Sequence, residues 1–126
     1  MSKSPMSKEK FTNQWLRHFA PSVSKDQIEK YVRNGCLWHI FSFDLLPRES
    51  FLVGDDARAA YNAVCDEDCI FCDVYGSGVT DKRKDAYWTA SSIDEAVTEL
   101  YVVSKDYSWT YIKTHEALCG PYFMKR

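Results

Sequence analysis

Two β-prone runs joined by a polar link fill the stretch Leu100-Tyr101-Val102-Val103-Ser104-Lys105-Asp106-Tyr107-Ser108-Trp109-Thr110-Tyr111-Ile112-Lys113-Thr114. The link, residues 104–108, has the length and polarity of a β-hairpin loop. Because side chains alternate along a strand, one face is predicted to carry Trp109, Tyr111, Lys113 and His115, and the other Thr110, Ile112 and Thr114. The stretch therefore predicts an antiparallel hairpin near the end of the chain.

Helical patterns precede the hairpin. Apolar residues at helical spacing predict a first helix over residues 7–19. Ser24 with Gln27 forms a capping box, which predicts a second helix that stops at Asn34-Gly35. An Ala-rich stretch over residues 57–64 follows the N-cap candidates Asp55 and Asp56, and a further capping box pairs Ser92 with Glu95. The sequence thus predicts about four helices.

Extended patterns lie between these helices. Residues 37–43 are rich in bulky side chains and are interpreted as a first strand, buried on both faces. Residues 70–75 predict a second strand closed by Gly76-Ser77-Gly78, and residues 79–90 a loop that feeds a short strand. A turn at Cys119-Gly120-Pro121 leads to Tyr122-Phe123. The predicted fold class is α+β, with a small, largely antiparallel sheet packed with about four helices and closing with a β-hairpin.

The size and composition of the chain favour one globular domain. It has 126 residues, of which 45% are hydrophobic and 15% aromatic, a composition that can form a core. We predict a single domain over 1–126, with 1–6 as a flexible tail. The absence of a long apolar run or secretory h-region, and an odd count of five cysteines, predict a cytoplasmic protein with reduced thiols.

The charge distribution is uneven. The net charge is only −2, which argues against nucleic acid and anionic membranes as partners. Residues 35–81, however, carry nine acidic and two basic side chains. Two interpretations remain open, namely carboxylates that cap helices and cover a solvated face, or a patch that meets a basic partner.

The cysteine spacing Cys65-x3-Cys69-x2-Cys72 resembles the cluster-binding loop of radical S-adenosylmethionine enzymes. The chain is too short for the barrel of those enzymes, and the adjacent acidic residues disfavour thiolates. If the second strand is extended, Cys69 and Cys72 point to opposite faces of the sheet. Buried structural thiols are therefore predicted, and a metal site on the three cysteines, completed by Cys36, Cys119 or His39, is the alternative.

Catalytic motifs are incomplete. His115-Glu116 lacks the second histidine of a zinc protease, and Gly76-Ser77-Gly78 lacks the residues of a phosphate-binding loop. A nucleophilic pair of Cys119 or Cys36 with His115 or His39 is the remaining enzymatic alternative. The cluster Lys82-Arg83-Lys84 is interpreted as a solvated loop. No catalytic residue and no cofactor are predicted.

A protein interface is the favoured site. Nineteen aromatic residues are more than a small core holds, and exposed Trp or Tyr residues anchor interfaces. Together with the acidic middle of the chain, this predicts a partner-binding surface made of Asp66, Glu67, Asp68, Trp88 and Trp109.

The last quarter of the chain also carries a resemblance. Its Trp109-Thr110, Thr114-His115-Glu116 and Gly120-Pro121-Tyr122-Phe123 segments resemble the C-terminal signature of a family of short bacterial proteins known only as a domain of unknown function. The family implies no reaction or cofactor. Small domains with such a hairpin are also similar to immunity proteins, which block a toxin by binding it. The predicted function is therefore binding of a protein such as a toxin or neighbouring gene product, and a metal- or thiol-dependent enzyme is the alternative.

Overall fold

The predicted hairpin lies at the centre of an antiparallel sheet in the computed structural model. The structure describes residues 7–32, 37–65, 67–73, 78–82, 88–96, 98–116 and 120–126. Within these ranges one sheet has the order β1-β6-β5-β4-β2-β3, and all neighbouring strands are antiparallel. The strands are β1 (Leu52–Val53), β2 (Cys69–Asp73), β3 (Gly78–Lys82), β4 (Leu100–Ser104), β5 (Trp109–Lys113) and β6 (Tyr122–Lys125). The predicted α+β class and antiparallel sheet are confirmed.

The helices in the described part of the chain are α1 (Lys8–Phe19), α2 (Lys25–Tyr31), α3 (His39–Ser42), α4 (Asp55–Asn62) and α5 (Ala90–Ala96). The start of α1 agrees with the sequence, because the Ser7 side chain accepts a hydrogen bond from the Lys10 amide at 3.1 Å. The predicted capping box of Ser24 and Gln27 opens α2. None of the helices in the described ranges is long and apolar enough to cross a membrane.

Helices cover both faces of the sheet and create two cores. Helices α1 to α3 cover one face, called here the α1–α3 side, and α4 and α5 cover the other, the α4–α5 side. On β5, Thr110 and Ile112 point to the α1–α3 side, while Trp109 and Tyr111 point to the α4–α5 side. This confirms the predicted alternation over β5. The strand has no solvated face, since apolar side chains are buried on both sides.

A hydrogen-bonded chain ties the hairpin to the first helix. The indole Nε1 of Trp15 donates to Thr110 Oγ1 at 2.9 Å, and Thr110 Oγ1 donates to the Val102 carbonyl at 2.8 Å. Trp15 and Thr110 are both fully buried. Each polar atom of these two hydrogen bonds has a partner, so burying them costs little free energy. The bonds therefore fix α1 against the hairpin.

Side-chain bonds within the hairpin loop form its turn. Ser104 Oγ accepts from the Ser108 amide at 2.8 Å and donates to Asp106 Oδ1 at 2.9 Å. Hydrogen bonds from Ser108 and, to a smaller extent, Ser104 lower the pKa of the Asp106 carboxyl. Tyr107 takes a left-handed backbone conformation with φ of 57°. The polar link therefore folds by its own short-range contacts, which is why its sequence predicted the turn.

The prediction of a strand over residues 37–43 is wrong, because this segment contains α3. Leu37, Ile40 and Phe41 are buried against the α1–α3 side of the sheet, whereas Phe43 is 53% exposed. Spacings of three and four residues place the buried side chains on one side of a helical turn. A short apolar run does not distinguish a buried strand from such a turn.

The predicted capping box at Ser92 is also misplaced. Helix α5 begins at Ala90, and the Ser92 amide donates to Thr89 Oγ1 at 3.2 Å. Thr89 supplies the first-turn contact, and Ser92 lies within the helix. The predicted 57–64 helix begins earlier, at Asp55, with Gly54 at the N-cap, so Asp55 and Asp56 lie in its first turn.

Several predicted features lie outside the described residues. They are the 1–6 tail, the Asn34-Gly35 stop, Tyr75 to Ser77, and Arg83-Lys84. A single domain over 1–126 stays a prediction.

Candidate functional site

Helices α4 and α5 are joined at their outer surface by one arginine. Arg58 donates from Nε to Asp94 Oδ2 at 3.0 Å and from Nη1 to Asp55 Oδ1 at 2.9 Å. Burial alone would lower the pKa of Arg58, but the carboxylates of Asp94 and Asp55 raise it above its usual range. Arg58 therefore keeps its charge and aligns the two helices.

This surface is acidic, and the opposite helical layer is basic. Helices α4 and α5 carry four acidic side chains and one basic side chain, whereas α1 and α2 carry three acidic and five basic ones. Asp55, Asp56 and Glu95 are exposed, and Asp94 is half-buried against Arg58. The name acidic surface is used below for Asp55, Asp56, Asp94 and Glu95.

Trp88 lies on the α4–α5 side, at the other end of the two helices from the Arg58 to Asp94 contact. Its carbonyl accepts from the Tyr61 hydroxyl at 2.7 Å, and the neighbouring Ala90 amide donates to Asn62 Oδ1 at 2.9 Å. These bonds fix residues 88–90 beside the C-terminal end of α4. The Trp88 ring contacts Phe71 edge-on and is 37% exposed. A partly exposed indole thus lies on the same side of the sheet as the acidic surface.

The other residues of the predicted partner-binding surface have different environments. Glu67 is exposed and accepts from Trp109 Nε1 at 3.1 Å. The Trp109 ring is only 2% exposed, so it belongs to the core and offers no contact area to a partner. Asp68 is exposed, and Asp66 lies outside the described residues. A binding role for Asp66, Glu67, Asp68 and Trp88 stays a prediction.

The cysteine triplet is divided between the two sides of the sheet. Cys65 and Cys69 lie on the α4–α5 side, and Cys72 lies on the α1–α3 side. Cys69 and Cys72 thus point to opposite faces, as expected for an extended strand. Burial raises the pKa of the Cys72 thiol to about 11. Among the described residues, no group of three His, Cys, Asp or Glu side chains is arranged to hold a metal ion. Cys36 and Cys119 lie outside that part of the chain.

A small cleft lies beneath Arg58. Arg58, Asp94, Lys113 and Pro121 are among the residues that line it, and its volume is about 60 Å³. A space of this size holds a few water molecules. Typical cofactor and ligand pockets are several times larger, about 300–1,000 Å³. The cleft therefore suits a single small group, such as the end of one side chain.

Sequence reasoning missed Arg58, Asp94 and the buried carboxylate Glu99. Arg58 and Asp94 lie 36 positions apart, so their contact depends on how α4 and α5 pack. Glu99 immediately precedes a strand of apolar residues, and that position was the only signal of burial in the sequence. His115 was predicted on the Trp109 face, but its ring contacts Trp38 on the α1–α3 side because β5 ends at Lys113.

The fold and this surface define a small α+β domain with one acidic and one basic helical layer. The chain belongs to the family described as Domain of unknown function (DUF4275), whose model matches residues 2–123. This confirms the resemblance to a family known only as a domain of unknown function. No curated protein and no solved structure matches the chain.

Proposed function

We propose that this protein is a non-enzymatic binding domain of the immunity or inhibitor type in the bacterial cytoplasm. Its acidic surface and the Trp88 ring would dock on the basic surface of a partner protein, such as a toxin or the product of a neighbouring gene. The observation that carries the proposal is that the partly exposed Trp88 indole and the four carboxylates of the acidic surface lie on the same side of the sheet.

The composition of this surface supports a protein partner. Trp residues are enriched among the anchors of protein interfaces, because a large ring buries much apolar area with few rotatable bonds. Carboxylates on the same side as such an anchor speed the approach of a basic partner and disfavour an acidic one. The basic α1–α2 layer would repel the same partner, so docking would select one side of the molecule.

The thiol- or metal-dependent alternative has less support. The three described cysteines do not converge, because Cys72 lies across the sheet from Cys65 and Cys69. A thiol whose pKa is raised by burial, as in Cys72, is a weak nucleophile at neutral pH. Buried thiols also agree with a reducing compartment.

The test uses two charge-reversed variants of the full chain. Asp56→Lys/Glu95→Lys reverses two exposed carboxylates of the acidic surface, and Glu9→Lys/Glu29→Lys is the matched control on α1 and α2. Each protein is immobilised and exposed to an extract of the source bacterium. Retained proteins are identified by mass spectrometry, and their affinities are measured by titration.

We expect a basic partner that the wild type and the control retain and that the acidic-surface variant loses, with a dissociation constant raised at least about 10-fold. Trp88→Ala should weaken the same complex. If all three columns retain the same proteins with the same affinities, the acidic surface is not a docking site and the proposal is wrong.

A further inference from the structure

The cleft beneath Arg58 shares one residue, Asp94, with the acidic surface. Arg58 and Asp94, the ion pair that joins α4 to α5, both line it. Lys113 and Glu116 line it as well, so the charged side chains of the wall are two cations and two anions. An ion of either sign in the cleft would meet a like charge as well as an opposite one. Its loss of hydration would therefore not be offset, which favours a neutral ligand.

The ion pair presents hydrogen-bond donors beside an acceptor. Arg58 donates from Nε to Asp94 and from Nη1 to Asp55, and a guanidinium carries further N–H groups. Asp94 accepts from Arg58 through Oδ2, and none of the described residues donates to its Oδ1. The Arg58 and Asp94 side chains are 37% and 32% exposed, so a ligand can reach both.

The opposite wall of the cleft is anchored to the start of α4. Gly120 and Pro121 form part of this wall, and the Pro121 carbonyl accepts from the amide of Gly54 at 2.9 Å. Gly54 is the N-cap of the helix that carries Arg58. The two walls are thus held in place by hydrogen bonds to the same helix. A preformed site of this kind loses little conformational entropy on binding.

A primary amide matches both the chemistry and the size of the cleft. Its carbonyl oxygen accepts hydrogen bonds, its NH₂ group donates them, and both are attached to one carbon atom. The oxygen can face the Arg58 guanidinium while the NH₂ group faces the Asp94 carboxylate. At about 10–15 Å³ for each water-sized sphere, the 60 Å³ of the cleft hold about four to six spheres. This is close to the number of heavy atoms in a primary amide and the carbon that carries it.

We propose that this cleft binds the primary amide of an Asn or Gln side chain that the partner protein carries to the acidic surface. The inference rests on the proposed function, because Asp94 belongs to both the acidic surface and the cleft. In the complex, Arg58 donates to the amide oxygen and Asp94 accepts from the amide nitrogen. The acidic surface then attracts a basic partner by charge, while the cleft selects a neutral residue at one position. A partner with Asp or Lys at that position is disfavoured.

The experiment compares three probes of the same shape and different charge, namely acetamide, acetate and acetamidinium. Each is titrated at constant ionic strength into the ¹⁵N-labelled full chain and followed by NMR. We expect acetamide to shift the Arg58 side-chain signal and the backbone signals of Asp94 and Gly120, with a dissociation constant in the millimolar range that suits so few atoms. Acetate and acetamidinium should bind at least about 10-fold more weakly.

A pair of variants tests the role of Asp94. Asp94→Ala removes the acceptor, and the matched control Glu95→Ala removes an exposed carboxylate of the acidic surface that does not line the cleft. The dissociation constant of acetamide should rise at least about 10-fold in Asp94→Ala and stay within about 2-fold in Glu95→Ala. Circular dichroism shows whether the variants are folded, and if Asp94→Ala is not, the three probes on the wild type decide alone. The proposal is overturned if acetamide shifts none of these signals, if either ion binds as tightly, or if folded Asp94→Ala binds acetamide like the wild type.

These titrations need no partner, so they separate this proposal from the proposed function. A partner retained by the acidic surface, together with no binding of acetamide, would overturn the role of the cleft alone. Binding of acetamide without any retained partner would overturn the proposed function and, with it, the partner as the source of the amide. Where a partner is retained, excess acetamide should weaken the complex, and excess acetate at the same ionic strength should not.

Discussion

Each side of the sheet contains a tryptophan whose indole donates to a glutamate at the same distance. Trp38 Nε1 donates to Glu99 at 3.1 Å on the α1–α3 side, and Trp109 Nε1 donates to Glu67 at 3.1 Å on the α4–α5 side. Glu99 is fully buried, whereas Glu67 is exposed. Water can replace Glu67 but cannot reach the site of Glu99. We therefore expect this bond to contribute more to stability on the α1–α3 side than on the α4–α5 side.

The two sides also differ in where they keep their polar groups. The α1–α3 side has polar groups inside the core, namely the Trp15 to Thr110 bond and the Trp38 to Glu99 bond. The α4–α5 side has an interior of stacked rings, such as Tyr61 on Tyr111 at 4.3 Å, and its carboxylates lie on the acidic surface. Internal polar bonds fix one arrangement of a core, while external charges remain available to a partner.

The largest expected effect comes from the indole that joins α1 to the hairpin. Trp15→Ala removes a fully buried ring that packs on Phe19 and Phe41, and it should lower the free energy of unfolding by about 4 kcal/mol. Urea denaturation followed by circular dichroism measures the loss. Trp88→Ala on the other side is the control and should cost about 1 kcal/mol, since the Trp88 ring is partly exposed. Equal losses would contradict the distinction between a core and a surface indole.

The two indole acceptors give the second prediction. Glu99→Ala removes the acceptor of the buried Trp38 Nε1 and the partner of His115, so it should lower the free energy of unfolding by about 3 kcal/mol. Glu67→Ala should cost no more than about 0.5 kcal/mol, because water replaces the exposed carboxylate. The same denaturation curves measure both variants. If Glu67→Ala lowers the free energy of unfolding as much as Glu99→Ala does, burial does not determine how much this bond contributes to stability.

The sequence predicted those elements whose stabilising contacts are local. Two β-prone runs and a polar link over residues 100–114 were sufficient to predict the hairpin, because β4 and β5 pair with each other. The capping box was predictable because Ser24 and Gln27 lie within one helical turn. The strand assigned to residues 37–43 failed because the apolar run is compatible with either a strand or a helical turn. Its packing against the sheet decides between them, and a local pattern does not contain that contact.

The candidate sites were harder to predict for the same reason. Trp88 and Trp109 were both chosen as candidate anchors from their residue type alone. Only the tertiary structure shows that the Trp88 ring is partly exposed and the Trp109 ring is buried. Glu99 meets Trp38 across 61 positions and His115 across 16. Nothing in the local sequence around Glu99 specifies these partners.

The hydroxyl of Thr110 gives a smaller effect on the α1–α3 side. Thr110→Val keeps the shape of the side chain but removes the acceptor of Trp15 Nε1 and the donor to the Val102 carbonyl. It should lower the free energy of unfolding by about 2 kcal/mol in urea denaturation. Thr110→Ser retains the hydroxyl, so it should recover most of the loss. If serine and valine are equally destabilising, the methyl group and not the hydrogen-bonded chain stabilises this contact.

The smallest effect comes from the stacked phenols on the α4–α5 side. The Tyr61 hydroxyl donates to the Trp88 carbonyl, whereas the buried Tyr111 hydroxyl has no hydrogen-bond partner among the described residues. Tyr111→Phe should therefore leave the free energy of unfolding at pH 7 unchanged or raise it by up to about 1 kcal/mol. Tyr61→Phe, the matched control, should lower it by about 1 kcal/mol.

The same two phenols should make the protein sensitive to alkali. Burial raises the pKa of both Tyr61 and Tyr111 in the folded protein, while tyrosine in the unfolded chain ionises at about pH 10. The unfolded state then loses protons at a pH where the folded state keeps them, so stability is intact below about pH 10 and falls as the pH rises above it. Melting temperatures measured between neutral and alkaline pH should fall less steeply in Tyr111→Phe than in the wild type. If the melting temperature falls equally steeply with pH in both proteins, the pKa of Tyr111 is the same in the folded and the unfolded state, and this prediction is wrong.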